Sequence, residues 1–326
     1  MQKRSRRSFL LGGTAAACVA AAASPAGAGR YRLTASHRHA AAGEAGTLWI
    51  GGDLQVNRIG LGTAEFVGPN RWGFPTDPRA LRELLRRAVE LGINMIDTAD
   101  VYGPGAAELM IYEALFPYPK DLVIATKGGQ THDVPGAPNA IDARPEKLRS
   151  ACEESLKRLR LEQIPLYYLH SPDPEVPIED SVGELVNLQH VGKIRHIGLS
   201  NIEPADLMKA QSEAKIVAVQ GLFNPVAKKS DNFVALCERQ RIAFIPNTPL
   251  GMRSGRKLDP TDARVNVLQR IADQRHITLA QAVLAWELAL SPIILPIPGT
   301  TRIEHLQEDI AAAKVHLTQH DVSDIG

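Results

Sequence analysis

The chain has 326 residues, 44% of them hydrophobic and 22% charged, with 37 Lys+Arg against 36 Asp+Glu. That composition excludes disorder and fibrous repeats, and the balance of charge leaves no basic field to gather nucleic acid or an anionic membrane surface. The length exceeds a usual single domain but suits one α/β barrel of about 250 residues with extensions.

The first segment reads as an address. Ser5-Arg6-Arg7-Ser8-Phe9-Leu10 follows Lys3 and Arg4 and precedes an alanine-rich apolar stretch ending in Ser24-Pro25-Ala26-Gly27-Ala28. This is the order of a twin-arginine export signal over residues 1–28, with Ala26 and Ala28 spaced as at a cleavage site. It predicts a mature start near Gly29, the Tat translocase as partner during export, a periplasmic or secreted product, and no membrane span after cleavage. Residues 29–46 are rich in Ala, Gly, Arg and His and lack a period, so a flexible linker is expected there. Cys18 falls in the leader. Cys152 and Cys237 each continue a helical apolar stripe and read as core thiols.

From Thr47 onward, short β-branched runs alternate with amphipathic stretches, the pattern of βαβ units in a parallel sheet. A β-hairpin over 47–50 and 54–56, turning at Gly51-Gly52, is expected to plug one end of a barrel. Strands are predicted at 59–63, 93–97, 122–126, 166–170, 196–200, 217–220, 243–246 and 293–298. The helices between them show one apolar face, as at Leu81, Leu84, Leu85 and Ala88, or Leu279, Ala282, Val283 and Trp286. The first strand–helix turn, Gly60-Leu61-Gly62-Thr63-Ala64, lacks the G-x-G-x-x-G of a doubly wound dinucleotide fold. A (β/α)8 TIM barrel over 47–326, with its N-terminal β-hairpin, is therefore the predicted fold.

In such a barrel the chemistry sits at the carboxyl ends of the strands. Those ends carry Asp97, Lys127, His170, Ser200, Asn201 and Gln220, with Tyr102 in the loop after the second strand. Carbonyl reduction needs a hydride at carbon and a proton at the oxygen. A tyrosine can give that proton if a nearby cation lowers its pKa from about 10. Lys127 is the candidate cation, Asp97 would hold it charged, and His170 could donate a hydrogen bond to the carbonyl oxygen. Singly, each has a structural reading: a helix cap, a turn residue, a solvated lysine, a core histidine. Four at successive strand ends favour a site.

Asp97-Thr98-Ala99-Asp100-Val101-Tyr102-Gly103, Ala125-Thr126-Lys127, Tyr168-Leu169-His170, the run Gly192 to Asn201, and Ile297-Pro298-Gly299-Thr300 together resemble the aldo-keto reductases in order and spacing. The resemblance covers the chain after about Gly46. It implies that Tyr102 is the general acid, tuned by Lys127 and Asp97, with His170 orienting substrate. It implies further that Ser200, Asn201 and Gln220 bind the nicotinamide carboxamide and that Phe223 stacks on its ring where the family usually has tyrosine. Thr248-Pro249-Leu250-Gly251 resembles the pyrophosphate-side loop. The turn Gly299, Thr300 and Arg302, with Glu308 and Asp309 in the last helix, resembles the adenosine phosphate site, where a helix N-terminus and a cation suit an anion.

Three departures fall here: Gly299 where many members have lysine, His305 where they have arginine, and Asp309 where they have asparagine. Arg302 can supply the charge for a 2′-phosphate, so NADP(H) is favoured and NAD(H) is the second choice. Substrate loops over 66–77, with Trp72 and Phe74, and over 128–144 point to an uncharged aldehyde or ketone, and the tail beyond Val315 is short. The competing class is a non-catalytic nicotinamide-binding barrel that senses redox state or serves as a subunit, which would not need Tyr102 and Lys127 together. A metal hydrolase is disfavoured because the first strand has no His-x-His pair.

Overall fold

The computed structural model describes residues 41–227, 231–251 and 258–326. The expected twin-arginine leader, and the expected linker as far as residue 40, lie outside them. The last linker residues differ from the expected coil. Ala41–Ala45 form a 3-10 helix, in which the Ala42 N–H donates to Leu91 O at 3.0 Å and Glu44 pairs with Lys314 at 3.3 Å. Ala42 is buried, so a small apolar side chain docks this stretch onto the domain.

In chain order the strands are β1 (Thr47–Ile50), β2 (Leu54–Asn57), β3 (Leu61–Gly62), β4 (Met95–Asp97), β5 (Val123–Gly128), β6 (Gln130–Thr131), β7 (Ala140–Ile141), β8 (Ile164–Leu169), β9 (Ile194–Ser200), β10 (Ile216–Leu222) and β11 (Ala243–Asn247). The helices are α1 (Pro78–Glu90), α2 (Ala106–Leu115), α3 (Pro145–Leu159), α4 (Ile178–His190), α5 (Pro204–Glu213), α6 (Asp231–Gln240), α7 (Ala263–Arg275), α8 (Leu279–Leu290), α9 (Ile303–Ala311) and α10 (Gln319–Ile325). Sequence and physics agree locally. Pro78 starts α1, the Asp77 side chain accepts from Ala80 N, and Leu81, Leu84, Leu85 and Ala88 are buried on one face.

Seven strands form one parallel sheet in the order β11-β10-β9-β8-β5-β4-β3. The expected eighth strand makes no ladder. Residues 293–299 form single bridges instead, Phe244 with Ile294 at one sheet edge and Gly62 with Gly299 at the other. Gly60 N and Gly62 N donate to Pro296 O and Pro298 O at 3.0 and 3.2 Å, and Leu295 N donates to Phe244 O at 3.0 Å. Pro296 and Pro298 have no N–H, so this segment accepts bonds but lacks donors that a regular ladder requires. Spanning both edges, it curls the sheet into a TIM-like α/β fold.

β1 and β2 pair antiparallel around Gly51 and Gly52, whose φ values of 68 and 98° suit glycine. Ile50, Leu54 and Val56 share a buried cluster with Met95, Leu166, Tyr168 and Ile245 from the parallel strands. A second, larger cluster lies between sheet and helices and takes in Cys152, Cys237, Phe223, Phe244 and Trp286. Both cysteines are free thiols, pushed up to about 12 by burial. The tail folds as α10 on α7, where Arg275 bonds Asp321 at 2.5 Å and His316 O at 2.6 Å.

Candidate active site

The register of the parallel strands brings the first pair together. Asp97 ends β4 opposite Ala125 of β5, and Lys127 stands two residues further on, opposite Tyr168 of β8. Lys127 is fully buried, and its Nζ donates to Asp97 Oδ1 at 2.5 Å and to Thr98 O at 2.8 Å. An ammonium so far from water persists only with such partners. Burial pulls its pKa down, but Asp97 and Tyr102 outweigh that and the net direction is upward, which keeps Lys127 charged. The other carboxylate oxygen, Asp97 Oδ2, accepts from Gln220 Nε2 of β10 at 2.9 Å.

Tyr102 sits in the turn between β4 and α2, fastened by its N–H to Ala99 O and by Ala107 N to its own carbonyl, both at 3.2 Å. Gly103 and Gly105, with φ of 64 and 82°, allow the turn. Lys127 Nζ lies 5.4 Å from the centroid of the Tyr102 ring, and the His170 ring meets that ring edge-on at 6.1 Å. One expectation is corrected here. Burial raises the Tyr102 pKa, Lys127 pulls it back, and the result stays above 10.0 rather than falling toward neutrality.

His170 closes β8, its N–H bonded to Gly128 O at 2.8 Å and its carbonyl accepting from Asn201 Nδ2 at 2.9 Å. Asn201 adopts φ 56° just past β9, and its N–H donates to Gln220 O at 2.9 Å. Ser200 is fully buried and its Oγ has no partner. The structure thus gathers Asp97, Tyr102, Lys127, His170, Ser200, Asn201 and Gln220 on one rim. Asn247, which the sequence reading passed over, joins them: its Nδ2 donates to Asn201 Oδ1 at 3.3 Å. Its signal was the strand end itself, one residue past the predicted 243–246.

A model of the aldo/keto reductase family matches residues 58–326, the stretch that carries this rim. The chain belongs to the aldo/keto reductase family. It is 40% identical over 285 residues to an uncharacterized oxidoreductase of Schizosaccharomyces pombe, covering 87% of this chain and 90% of that one. It is 36% identical over 281 residues to pyridoxine 4-dehydrogenase of Escherichia coli, covering 83% and 94%. An aldo/keto reductase of Klebsiella pneumoniae, solved in complex with NADP and acetate, superposes with a TM-score of 0.72 at 25% identity, over 86% of this chain and 93% of that one.

In this aldo/keto reductase Phe223 departs from the sequence reading. It is 1% exposed, stacked on Trp286 at 5.6 Å and edge-on to Phe244 at 5.7 Å. Both contacts tie it to the core between sheet and α8, so it offers no open ring face at the rim. Thr248 and Gly251 have φ of 58 and 64°, Gly251 N donates to Thr248 O at 3.0 Å, and Leu250 packs on the core. These residues form a tight turn after β11.

Gly299 bridges to Gly62, and the Thr300 hydroxyl accepts from Arg302 N at 3.2 Å as α9 begins. The Arg302 side chain is 63% exposed, with Glu304 3.5 Å away. Glu308 is half-buried, and its carbonyl accepts from Gln281 at 3.2 Å. Asp309 is buried and pushed up to about 8, first by burial and then by Glu308. It therefore carries little negative charge at neutral pH.

Proposed function

We propose that this oxidoreductase reduces an aldehyde or ketone to an alcohol with NADPH, and that Tyr102 supplies the proton. The observation that carries the reading is the buried series Gln220–Asp97–Lys127, which holds a charged ammonium beside the Tyr102 ring. Such a cation favours negative charge on the phenol oxygen at the moment its proton leaves. His170, edge-on to Tyr102, orients the carbonyl oxygen between the two.

The residues present fit a nicotinamide cofactor. Ser200 Oγ is an orphaned buried hydroxyl, and with Asn201 and Gln220 it provides the donors and acceptors that a carboxamide needs. When bound, NADPH supplies the hydride that reaches the carbonyl carbon. Thr248, Leu250 and Gly251 would flank the pyrophosphate, and Gly299, Thr300, Arg302, Glu308 and Asp309 the adenosine end. Arg302 is the cation for a 2′-phosphate, and the NADP complex of the Klebsiella relative supports that choice over NAD.

The test is Tyr102→Phe. Carbonyl reduction should fall by about 10²–10⁴-fold while calorimetric NADPH binding is kept. Unchanged turnover would return the protein to the non-catalytic binder. We also read residues 1–28 as a twin-arginine leader. Replacing Arg6 and Arg7 by lysine and fractionating the cells tests export: the altered protein should stay in the cytoplasm.

A further inference from the structure

The loop after β3 carries a cation to the same rim. Asn70 and Arg71 both adopt left-handed backbone, φ 57 and 60°, which residues with side chains hold only where the surroundings enforce it. Here the facing loop enforces it: Gly136 N donates to Asn70 O at 2.8 Å, and Gly68 N to Gly73 O closes the turn at 2.9 Å. Trp72 then meets the His132 ring edge-on at 5.6 Å. The loop packs on the turn that carries Tyr102, since a Cβ added at Gly103 would stand 2.7 Å from Gly73 O and 3.2 Å from Val67 Cγ1, and the Arg71 charge is among those that pull the Tyr102 pKa down, after burial, Lys127 and Asp97.

Arg71 is half-buried, and among the described residues it has no carboxylate partner. Arg144, at the end of the facing loop, by contrast chelates Asp142 at 2.7 and 2.8 Å. His132 is buried with both ring nitrogens unpartnered. A half-buried guanidinium with no carboxylate partner among the described residues, on a loop packed against the Tyr102 turn, is suited to bind an anion.

Resting on the reading of carbonyl reduction, we propose that the substrate carries a carboxylate a few bonds from its carbonyl and that Arg71 binds it. A single planar fork matches a carboxylate bidentately. The exposed rings of Trp72 and Phe74 on the same loop suit the apolar body between the two groups. This replaces the uncharged substrate that the aromatic content of the loop suggested.

The experiment compares 4-formylbenzoate with its methyl ester under NADPH, alongside calorimetric binding of terephthalate and its dimethyl ester to the NADP-loaded protein. The acid should be favoured in kcat/KM by about tenfold or more. Arg71→Met should raise KM for the acid by about tenfold, erase the preference for acid over ester, and abolish terephthalate binding, with Arg71→Lys intermediate. Equal use of acid and ester, or a variant that binds terephthalate as the wild type does, overturns the proposal and leaves carbonyl reduction standing. Terephthalate binding lost in Arg71→Met without turnover of either aldehyde would support the anion site and count against the reaction instead.

Discussion

Gln220 Nε2 donates to Asp97 Oδ2 at 2.9 Å, on the carboxylate oxygen opposite the one that accepts Lys127. A side chain proposed at the nicotinamide is thus bonded to the residue that keeps the lysine charged. Asp97→Asn leaves the buried Lys127 charge uncompensated and should cost about 3–5 kcal/mol of stability. Gln220→Leu removes a bond to a charged group and should cost about 1.5–3 kcal/mol, with weaker NADPH binding. Denaturant unfolding and calorimetry measure both. An Asp97→Asn protein as stable as the wild type would contradict the arrangement.

The pH profile follows from the direction of the Tyr102 shift. An acid whose pKa is raised keeps its proton to higher pH, so the proton donor stays loaded across neutrality. The kcat/KM for reduction, which reports the free enzyme, should be flat from about pH 6 to 9 and decline only above about 10. Alcohol oxidation needs the phenolate and should climb with pH over the same range. A reduction profile falling near neutrality would show Lys127 outweighing burial.

Glu287 on α8 is a buried carboxyl whose two oxygens have no partner. Burial raises its pKa well above 4.5, so the folded chain keeps a proton that the unfolded chain releases above that pH. Stability from this residue is highest below about pH 4.5 and is lost as pH rises toward the folded pKa. Glu287→Leu should therefore stabilise by about 1–3 kcal/mol at neutral pH. The gain should be larger at pH 8 than at pH 5 in urea unfolding, and an equal gain at both would rule out titration as its cause.

Gly198 in the middle of β9 is required by a ring. A Cβ there would stand 2.5 Å from Cδ1 of Tyr168, and the Tyr168 ring lies 5.8 Å from Lys127 Nζ. Gly198→Ala should destabilise by about 1–3 kcal/mol through overpacking and lower kcat by moving the ring beside the lysine. Pairing it with Tyr168→Leu, which vacates that space, should recover stability in thermal unfolding.

The sequence by itself determined the alternation of strands and helices and the four residues at successive strand ends, because period and turn chemistry are local and barrel topology turns strand ends into a rim. Leu81, Leu84, Leu85 and Ala88 mark one helix face at any tertiary arrangement, and Asp97, Lys127 and His170 close their strands by position alone. Tertiary structure decided what depends on approach between distant segments. Phe223 lies within four residues of Gln220 yet belongs to the core, because Trp286 and Phe244 take its ring. Residues 293–298 read as a strand, but the segment bridges without a ladder, since its prolines lack donors. The balance between burial and Lys127 at Tyr102, to which Arg71 of another loop also contributes, arises from desolvation and charge summed over neighbours that no local pattern names.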